Sequence, residues 1–123
     1  MTNNKIMVID KEWEQISQGL VSRGYEVVYA TSALALDFAI EHKPQLIVLG
    51  PDFKLCECLR DKTDIPMVML ADKLDKTGIL RAISLGCTDL LDLADESVLQ
   101  RIITHLRLSN IDALTKQLYK LIN

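Results

Sequence analysis

Residues 5–10 read KIMVID, a short apolar run that ends in a carboxylate. A run without alternating polar positions is typical of a strand that is buried on both faces of a sheet. The next apolar residues, from Trp13 to Val21, recur at helical spacing, and Gly24 follows them as a helix stop. The start of the chain therefore predicts a strand that leads into a helix over residues 12–23.

The same strand–helix unit recurs four more times along the chain. Further apolar runs predict strands at residues 25–30, 46–49, 65–70 and 89–93. Segments with helical spacing lie between and after them, at residues 32–42, 53–60, 77–85 and 96–108. Ser32, Thr77 and Asp95 are candidate N-caps of three of these helices, and Gly86 is a candidate helix stop.

Apolar strands that alternate with helices predict a parallel sheet covered on both faces. We therefore expect an α/β fold of the doubly wound (βα)5, flavodoxin-like type, a three-layer sandwich around a five-stranded parallel sheet. In such open sheets the ligand site lies at the carboxyl ends of the strands. Function is to be sought at four positions there, Asp10, Gly50, Ala71 and Leu93.

The last part of the chain is predicted to be a separate element. Ser109 and Asn110 are expected to interrupt the fifth helix, which divides the chain into a domain at residues 1–108 and a C-terminal helix or linker at 109–123. Beyond the interruption, apolar residues repeat with 3,4,3 spacing at Ile111, Leu114, Leu118 and Leu121. This segment either docks back onto the domain or pairs with a partner chain.

Size and composition restrict the class of protein. The chain has 123 residues, enough for one domain, and its 49% hydrophobic and 25% charged residues exclude disorder. No apolar run approaches the roughly 18 residues of a membrane span. Cys56, Cys58 and Cys87 form neither an even disulfide framework nor a zinc motif. We expect a cytoplasmic protein with reduced thiols and no membrane partner.

The sequence gives little support for a nucleic-acid, nucleotide or metal binding site. The four basic residues within 101–123 are too sparse for a nucleic-acid patch, and no Gly-rich phosphate loop follows the first strand. His42 and His105 lack neighbours at metal-ligand spacing and are predicted to be surface or capping residues. No cofactor is expected.

Four stretches, in their order and spacing, resemble the response-regulator receiver domain. They are residues 5–10, 43–49, 64–71 and 86–91, and the likeness extends over about residues 5–108. The resemblance implies a cytoplasmic module of two-component or phosphorelay signal transduction. It also implies a phosphorylation site at the carboxyl ends of the strands.

In that family an aspartate at the end of strand three accepts a phosphoryl group from a partner kinase. Two acidic residues after strand one hold magnesium, a lysine follows strand five, and a hydroxyl group follows strand four. The cations are needed because the phosphoryl group spreads negative charge over its oxygens, which repels an approaching carboxylate.

This sequence lacks most of that phosphorylation site. Asp10 occupies the position of the first acidic residue, but Lys11 stands at the second, Gly50 at the acceptor, Ala71 at the hydroxyl and Leu93 at the lysine. The loop after the third strand is also shorter than in the family. We therefore expect a degenerate pseudo-receiver with no catalytic residue and no functional magnesium site, which acts by protein contact.

Lys11 and Asp52 each have two interpretations. Lys11 either pairs with Asp10 in place of the metal or points into water. Asp52 is either a helix N-cap or a displaced phosphoacceptor, in which case Asp10 and Asp72 would hold the metal.

The expected partners are proteins. The resemblance implies a homodimer or partner contact through the face between Thr77 and Leu108, and the C-terminal helix is the other candidate. Residues 112–115 read DALT, which resembles the Asp-x-Leu-Thr that opens diguanylate cyclase domains. The chain is therefore either a separate module or the N-terminal regulatory domain of a longer regulator.

Overall fold

A computed structural model describes residues 4–10, 13–73 and 75–122, and for residues 109–114 it describes the backbone alone. Five parallel strands form one sheet in the order β2-β1-β3-β4-β5. The strands are β1 Lys5–Ile9, β2 Glu26–Ala30, β3 Leu46–Leu49, β4 Met67–Ala71 and β5 Asp89–Asp92. The predicted α/β fold and its five strands are confirmed.

Helices cover both faces of this sheet. They are α1 Glu14–Ser22, α2 Ala35–His42, α3 Phe53–Lys62, α4 Lys76–Ser84 and α5 Val98–Ile122, and a short 3-10 turn, Ser32–Leu34, precedes α2. Alternate residues of one strand enter different cores, as in β1, where Met7 packs with buried residues of α2 and α3 and Val8 packs with those of α1 and α5. The continuous apolar runs thus arise because both faces of each strand are covered.

Helix ends follow the sequence signals at some positions. Gly24 and Gly86 have φ of 90° and 88°, a left-handed conformation that favours glycine, and each ends a helix as predicted. Asp52 is the N-cap of α3, since its Oδ1 accepts a hydrogen bond of 3.0 Å from the Leu55 N–H. The interpretation of Asp52 as a helix cap is confirmed.

Two predicted N-caps are wrong. Ser32 does not cap α2, because its backbone N–H and its hydroxyl group both donate to the Asp10 carboxylate. Thr77 lies inside α4, whose cap is Asp75, with Oδ1 2.6 Å from the Gly78 nitrogen. The helix begins one residue before Thr77, so the residue in the N-cap position is Asp75. Asp95 instead caps a turn ahead of α5, through a 2.8 Å bond from the Ser97 N–H.

Helix α5 runs without interruption from Val98 to Ile122, so the predicted break at Ser109 and Asn110 is wrong. Serine and asparagine each destabilise a helix by less than about 1 kcal/mol relative to alanine. The hydrogen bonds of the turns on either side outweigh this cost, because helix propagation is cooperative. The expected extra helix is therefore the last part of α5, and its residues 115–122 are exposed. The division of the chain at residue 108 remains a proposal. No helix in the described ranges is long and apolar enough to cross a membrane.

His105 is not a simple surface residue. Its Nε2 lies 2.8 Å from Asp89 Oδ2 on β5, and the same oxygen lies 3.0 Å from an Arg101 guanidinium nitrogen. This cluster joins α5 to the first residue of β5. His42 lies at the end of α2, where its ring meets Phe38 edge-on at a centroid distance of 5.5 Å.

Arg60 joins three backbone segments. Its guanidinium donates to the carbonyl oxygens of Thr63, Ile65 and Gly86, at 3.2, 3.2 and 3.1 Å. Thr63 and Ile65 precede β4, and Gly86 lies between α4 and β5. The side chain therefore holds the entries to two neighbouring strands together with the end of α3.

All three cysteines are unpaired, and two of them, Cys56 and Cys87, are buried. Burial raises the pKa of both thiols, that of Cys87 to about 11. Because the thiolate is the reactive form, exposed Cys58 is the thiol that reagents reach most readily.

Alkaline pH is expected to destabilise the protein through Cys87. The unfolded chain ionises this thiol near pH 9, whereas the folded chain keeps it protonated up to about pH 11. Its contribution to the free energy of unfolding is complete below pH 9 and is lost as the pH rises to 11, by up to about 2 to 3 kcal/mol. Urea unfolding between pH 8 and 11 measures it as a shrinking stability difference between wild type and Cys87→Ala. A difference that is constant over this range would contradict the assignment.

Candidate functional site

A cleft of about 550 Å³ opens at the carboxyl ends of the strands. Its lining includes the four positions singled out from the sequence, Asp10, Gly50, Ala71 and Leu93. Parallel strands bring these residues to one edge because all of their carboxyl ends point the same way. The fold therefore places the four positions in one cleft.

The Asp10 carboxylate accepts hydrogen bonds from a neighbouring segment of the chain. The residue has φ of 64°, and its Oδ1 accepts a 2.8 Å hydrogen bond from the Ser32 N–H while its Oδ2 accepts from the Ser32 hydroxyl. Both carboxylate oxygens thus hold the turn that precedes α2. Lys11 lies outside the described residues, so its pairing with Asp10 stays a prediction.

Gly50 faces an aromatic ring. A Cβ atom placed on Gly50 would lie 3.9 Å from Trp13 Cζ2 and 4.0 Å from Cη2, which is ordinary van der Waals contact, and Gly50 is not in the left-handed region. The backbone therefore does not require glycine here. Trp13 itself has φ of 37° and lies at the N-cap of α1, so the described helix begins at Glu14, slightly later than predicted.

Ala71 and Leu93 belong to an apolar floor. The Leu93 N–H donates to the Ala71 carbonyl oxygen at 2.9 Å, and Leu93 is partly buried against the core that α1 and α5 share. Leu49 and Leu70, both fully buried, line the same cleft. The positions where the family that the chain resembles has a hydroxyl group and a lysine are thus part of this apolar floor.

A pair of side chains that the sequence did not reveal also lines the cleft. The Arg81 guanidinium on α4 stacks over the Phe53 ring at the start of α3, with its central carbon 4.3 Å from the ring centroid. Across the described residues this guanidinium makes no hydrogen bond or ion pair. The two residues are far apart in sequence on separate helices, so no local pattern signals their contact.

The remaining charged residues of the lining are Asp52, Lys54 and Asp72. Asp52 is partly engaged as the cap of α3. In the described part of the chain, the Asp72 carboxylate accepts no hydrogen bond, and no three His, Cys, Asp or Glu side chains are grouped so as to hold a metal ion. That the protein has no functional magnesium site stays a prediction.

Comparisons with known proteins identify the fold. No family model and no curated protein matches the chain. Among solved structures, a two-component response regulator from Clostridium difficile aligns with 85% of this chain and 97% of its own, at 23% identity and a TM-score of 0.76. A response regulator from Thermotoga maritima aligns with 86% of this chain and 99% of its own, at 19% identity and a TM-score of 0.77.

A longer protein shows the same likeness. NtrX from Brucella abortus aligns with 97% of this chain at 21% identity and a TM-score of 0.78, but the match covers only 30% of that protein. The structural neighbours are thus response-regulator receiver domains, and this chain has their flavodoxin-like fold. At these identities the likeness shows the fold alone.

Proposed function

We propose that this protein is a pseudo-receiver, a signal-transduction module related to two-component and phosphorelay systems that acts by protein contact and is not itself phosphorylated. The observation that carries the proposal is the composition of the cleft. Gly50, Ala71 and Leu93 supply no nucleophile, hydroxyl group or cation at the positions where the family that the chain resembles has them.

The state of Asp10 supports the same conclusion. Magnesium would have to compete with two hydrogen bonds from Ser32 for the carboxylate oxygens. Breaking them would also release the turn that leads into α2. Because both oxygens of this carboxylate already accept hydrogen bonds, we propose that the domain does not bind a metal ion there. We also propose that the protein has no catalytic activity.

Phosphorylation at a displaced acceptor is the alternative. Asp52 lines the cleft and one of its oxygens is not used by the cap bond. Phosphorylating it would add negative charge where a helix N-terminus favours it, with Lys54 and Arg81 as the cations in the lining. Against this, the Arg81 guanidinium is stacked on Phe53, and Asp52 would lose its role as a cap.

Partner contact is proposed through one of two surfaces. The face between Thr77 and Leu108 exposes large apolar side chains, Leu80 at 56% and Ile83 at 62%. The last turns of α5 expose others, Leu118, Tyr119, Leu121 and Ile122. Either surface suits a second copy or another protein. A role as the regulatory front of a longer protein, such as a diguanylate cyclase, is the remaining alternative.

Beryllofluoride with magnesium, a stable mimic of an acyl phosphate, is expected to leave the amide NMR spectrum of the protein unchanged. The prediction follows because neither an acceptor carboxylate at residue 50 nor a lysine at residue 93 is present to bind it. Spectra are recorded with magnesium alone, with beryllofluoride and with acetyl phosphate.

The Asp52→Asn variant is the matched control, since asparagine keeps the N-cap and removes the possible acceptor. Shifts clustered at Asp10, Asp52 and Ala71 in wild type that vanish in Asp52→Asn would establish the displaced acceptor and overturn the proposal.

A further inference from the structure

We propose that the cleft between Trp13 and Arg81 is a binding site for a small aromatic molecule that carries an anionic group. The ring of the ligand would lie on the apolar floor against Trp13, and its anionic group would bind the Arg81 guanidinium. This inference goes beyond the proposed function, because it gives the cleft a ligand of its own rather than a phosphoryl group.

The cleft has the size and lining of a ligand site. Its volume of about 550 Å³ falls within the roughly 300 to 1,000 Å³ that is usual for small-molecule pockets. Its floor is formed by buried or partly buried apolar residues, Leu49, Gly50, Leu70, Ala71 and Leu93. An apolar floor of this extent favours a hydrophobic ring and disfavours a hydrated metal ion or a free phosphate.

Trp13 provides an aromatic wall. Its ring already lies close to Gly50, about 4 Å from the position of a Cβ atom there, so a ligand ring on the neighbouring part of the floor would contact the indole. The residue is only partly buried and lines the cleft. Aromatic pairs of this kind add to the gain from burial alone.

Arg81 provides the anion partner. Its guanidinium lies over Phe53, 4.3 Å from the ring centroid, which leaves the N–H groups around its edge free to point away from the ring. That edge matches a carboxylate or sulfonate, which accepts two parallel hydrogen bonds. Because Phe53 already holds the guanidinium, less side-chain entropy is lost when the ligand binds.

The carboxylates of the lining leave Arg81 available. Asp10 uses both oxygens on Ser32, and Asp52 accepts from the Leu55 N–H. Asp72, the third carboxylate of the lining, makes no ion pair with Arg81 within the described residues. In the portion of the chain that the structure describes, no carboxylate forms an ion pair with Arg81. An exposed cation beside an apolar cleft therefore lacks an internal counter-ion within that portion.

The test uses two matched probes that differ by one charged group, 8-anilinonaphthalene-1-sulfonate and its uncharged parent, N-phenyl-1-naphthylamine. We expect the sulfonate probe to bind wild type at one site with a Kd of about 10 to 100 µM. Energy transfer from Trp13, the single tryptophan of the chain, reports probe binding, and the variants locate the bound probe.

Arg81→Met is expected to weaken binding of the sulfonate probe about five- to tenfold, because the substitution removes the charge. Binding of the neutral probe should weaken less than about twofold, because methionine keeps an apolar side chain at this position. Arg107→Met, at an exposed position of α5 outside the cleft lining, should change neither. Gly50→Leu, which puts a side chain onto the floor, should abolish saturable binding of both probes.

Absence of saturable binding to wild type would overturn the inference. So would an Arg81→Met variant that binds the sulfonate probe as tightly as wild type or that weakens the binding of both probes equally. Full retention of binding in Gly50→Leu would overturn it as well. If Gly50→Leu does not fold, the comparison of the two probes with Arg81→Met decides alone. The beryllofluoride spectra are independent of this outcome, so the ligand site and the phosphate-independent function can fail separately.

Discussion

Arg60→Ala is expected to lower the free energy of unfolding by about 2 to 4 kcal/mol. The guanidinium donates to three backbone carbonyl oxygens, those of Thr63, Ile65 and Gly86. Hydrogen bonds to a charged group contribute about 1.5 to 3 kcal/mol each when buried, and the total is reduced here because the side chain is only partly buried. Denaturant unfolding followed by circular dichroism measures the change.

Two further variants separate the hydrogen bonds from charge in general. Arg60→Lys keeps the charge, but a single ammonium group does not reach three carbonyl oxygens in a fork, so it should recover less than half of the loss. Arg107→Ala removes an exposed arginine with no partner among the described residues and should cost less than about 0.5 kcal/mol. If Arg60→Ala and Arg107→Ala were equally mild, the three bonds would have no role in stability.

Gly86→Ala is expected to be at least as damaging, at about 3 to 5 kcal/mol. Its φ of 88° strains any residue with a Cβ atom, at roughly 1 to 2 kcal/mol. In addition, the new Cβ would lie 2.7 Å from Arg60 Cγ and 2.8 Å from its Nε, so the arginine would have to leave its carbonyl partners. The substitution therefore adds the loss of the Arg60 contacts to the backbone strain.

The chain supplies internal controls for this prediction. Gly24 has nearly the same φ, 90°, but a Cβ added there would meet none of the described atoms within 4 Å, so Gly24→Ala should show the strain alone. Gly50→Ala should be close to neutral, since neither strain nor a close contact exists there. In an Arg60→Ala background, Gly86→Ala should fall to the cost of Gly24→Ala. Full additivity of the two changes would refute the coupling.

The sheet could be predicted from the sequence because its signals are local. Each strand is a short apolar run, and both of its faces are covered, so burial is independent of side-chain direction and the run needs no periodicity. Gly24 and Gly86 could be identified as helix ends because a left-handed residue after a helix strongly favours glycine. The strand order β2-β1-β3-β4-β5 has no such local signal; it is the order of the flavodoxin-like class.

The errors in the helices have non-local causes. Ser32 is a good N-cap by type, but its hydroxyl group meets Asp10, a residue from a different strand end. The break expected at Ser109 and Asn110 does not occur, because propensity at two positions is a weak term in a helix of 25 residues. Neither outcome is visible in a window of neighbouring residues.

The positions at the strand ends of the candidate site could be predicted from the sequence, but its side-chain contacts could not. Asp10, Gly50, Ala71 and Leu93 could be placed in one cleft because the end of each parallel strand points to the same edge. Two contacts could not be predicted, that of Trp13 with Gly50 and that of Arg81 with Phe53. Each pair joins separate elements through side-chain packing. These contacts are the ones that decide what the cleft can bind.

The length of α5 has a mechanical consequence. Leu106 is buried against the sheet, whereas the residues from 115 to Ile122 are exposed. At a rise of about 1.5 Å per residue, Ile122 lies about 24 Å along the axis from Leu106. A tilt of about 10° at the buried base would therefore move the far end by about 4 Å. The helix is a lever, so a small repacking at its buried base, where Gln45 Nε2 donates to the Leu106 carbonyl oxygen at 2.7 Å, would become a displacement of several ångströms at its exposed end.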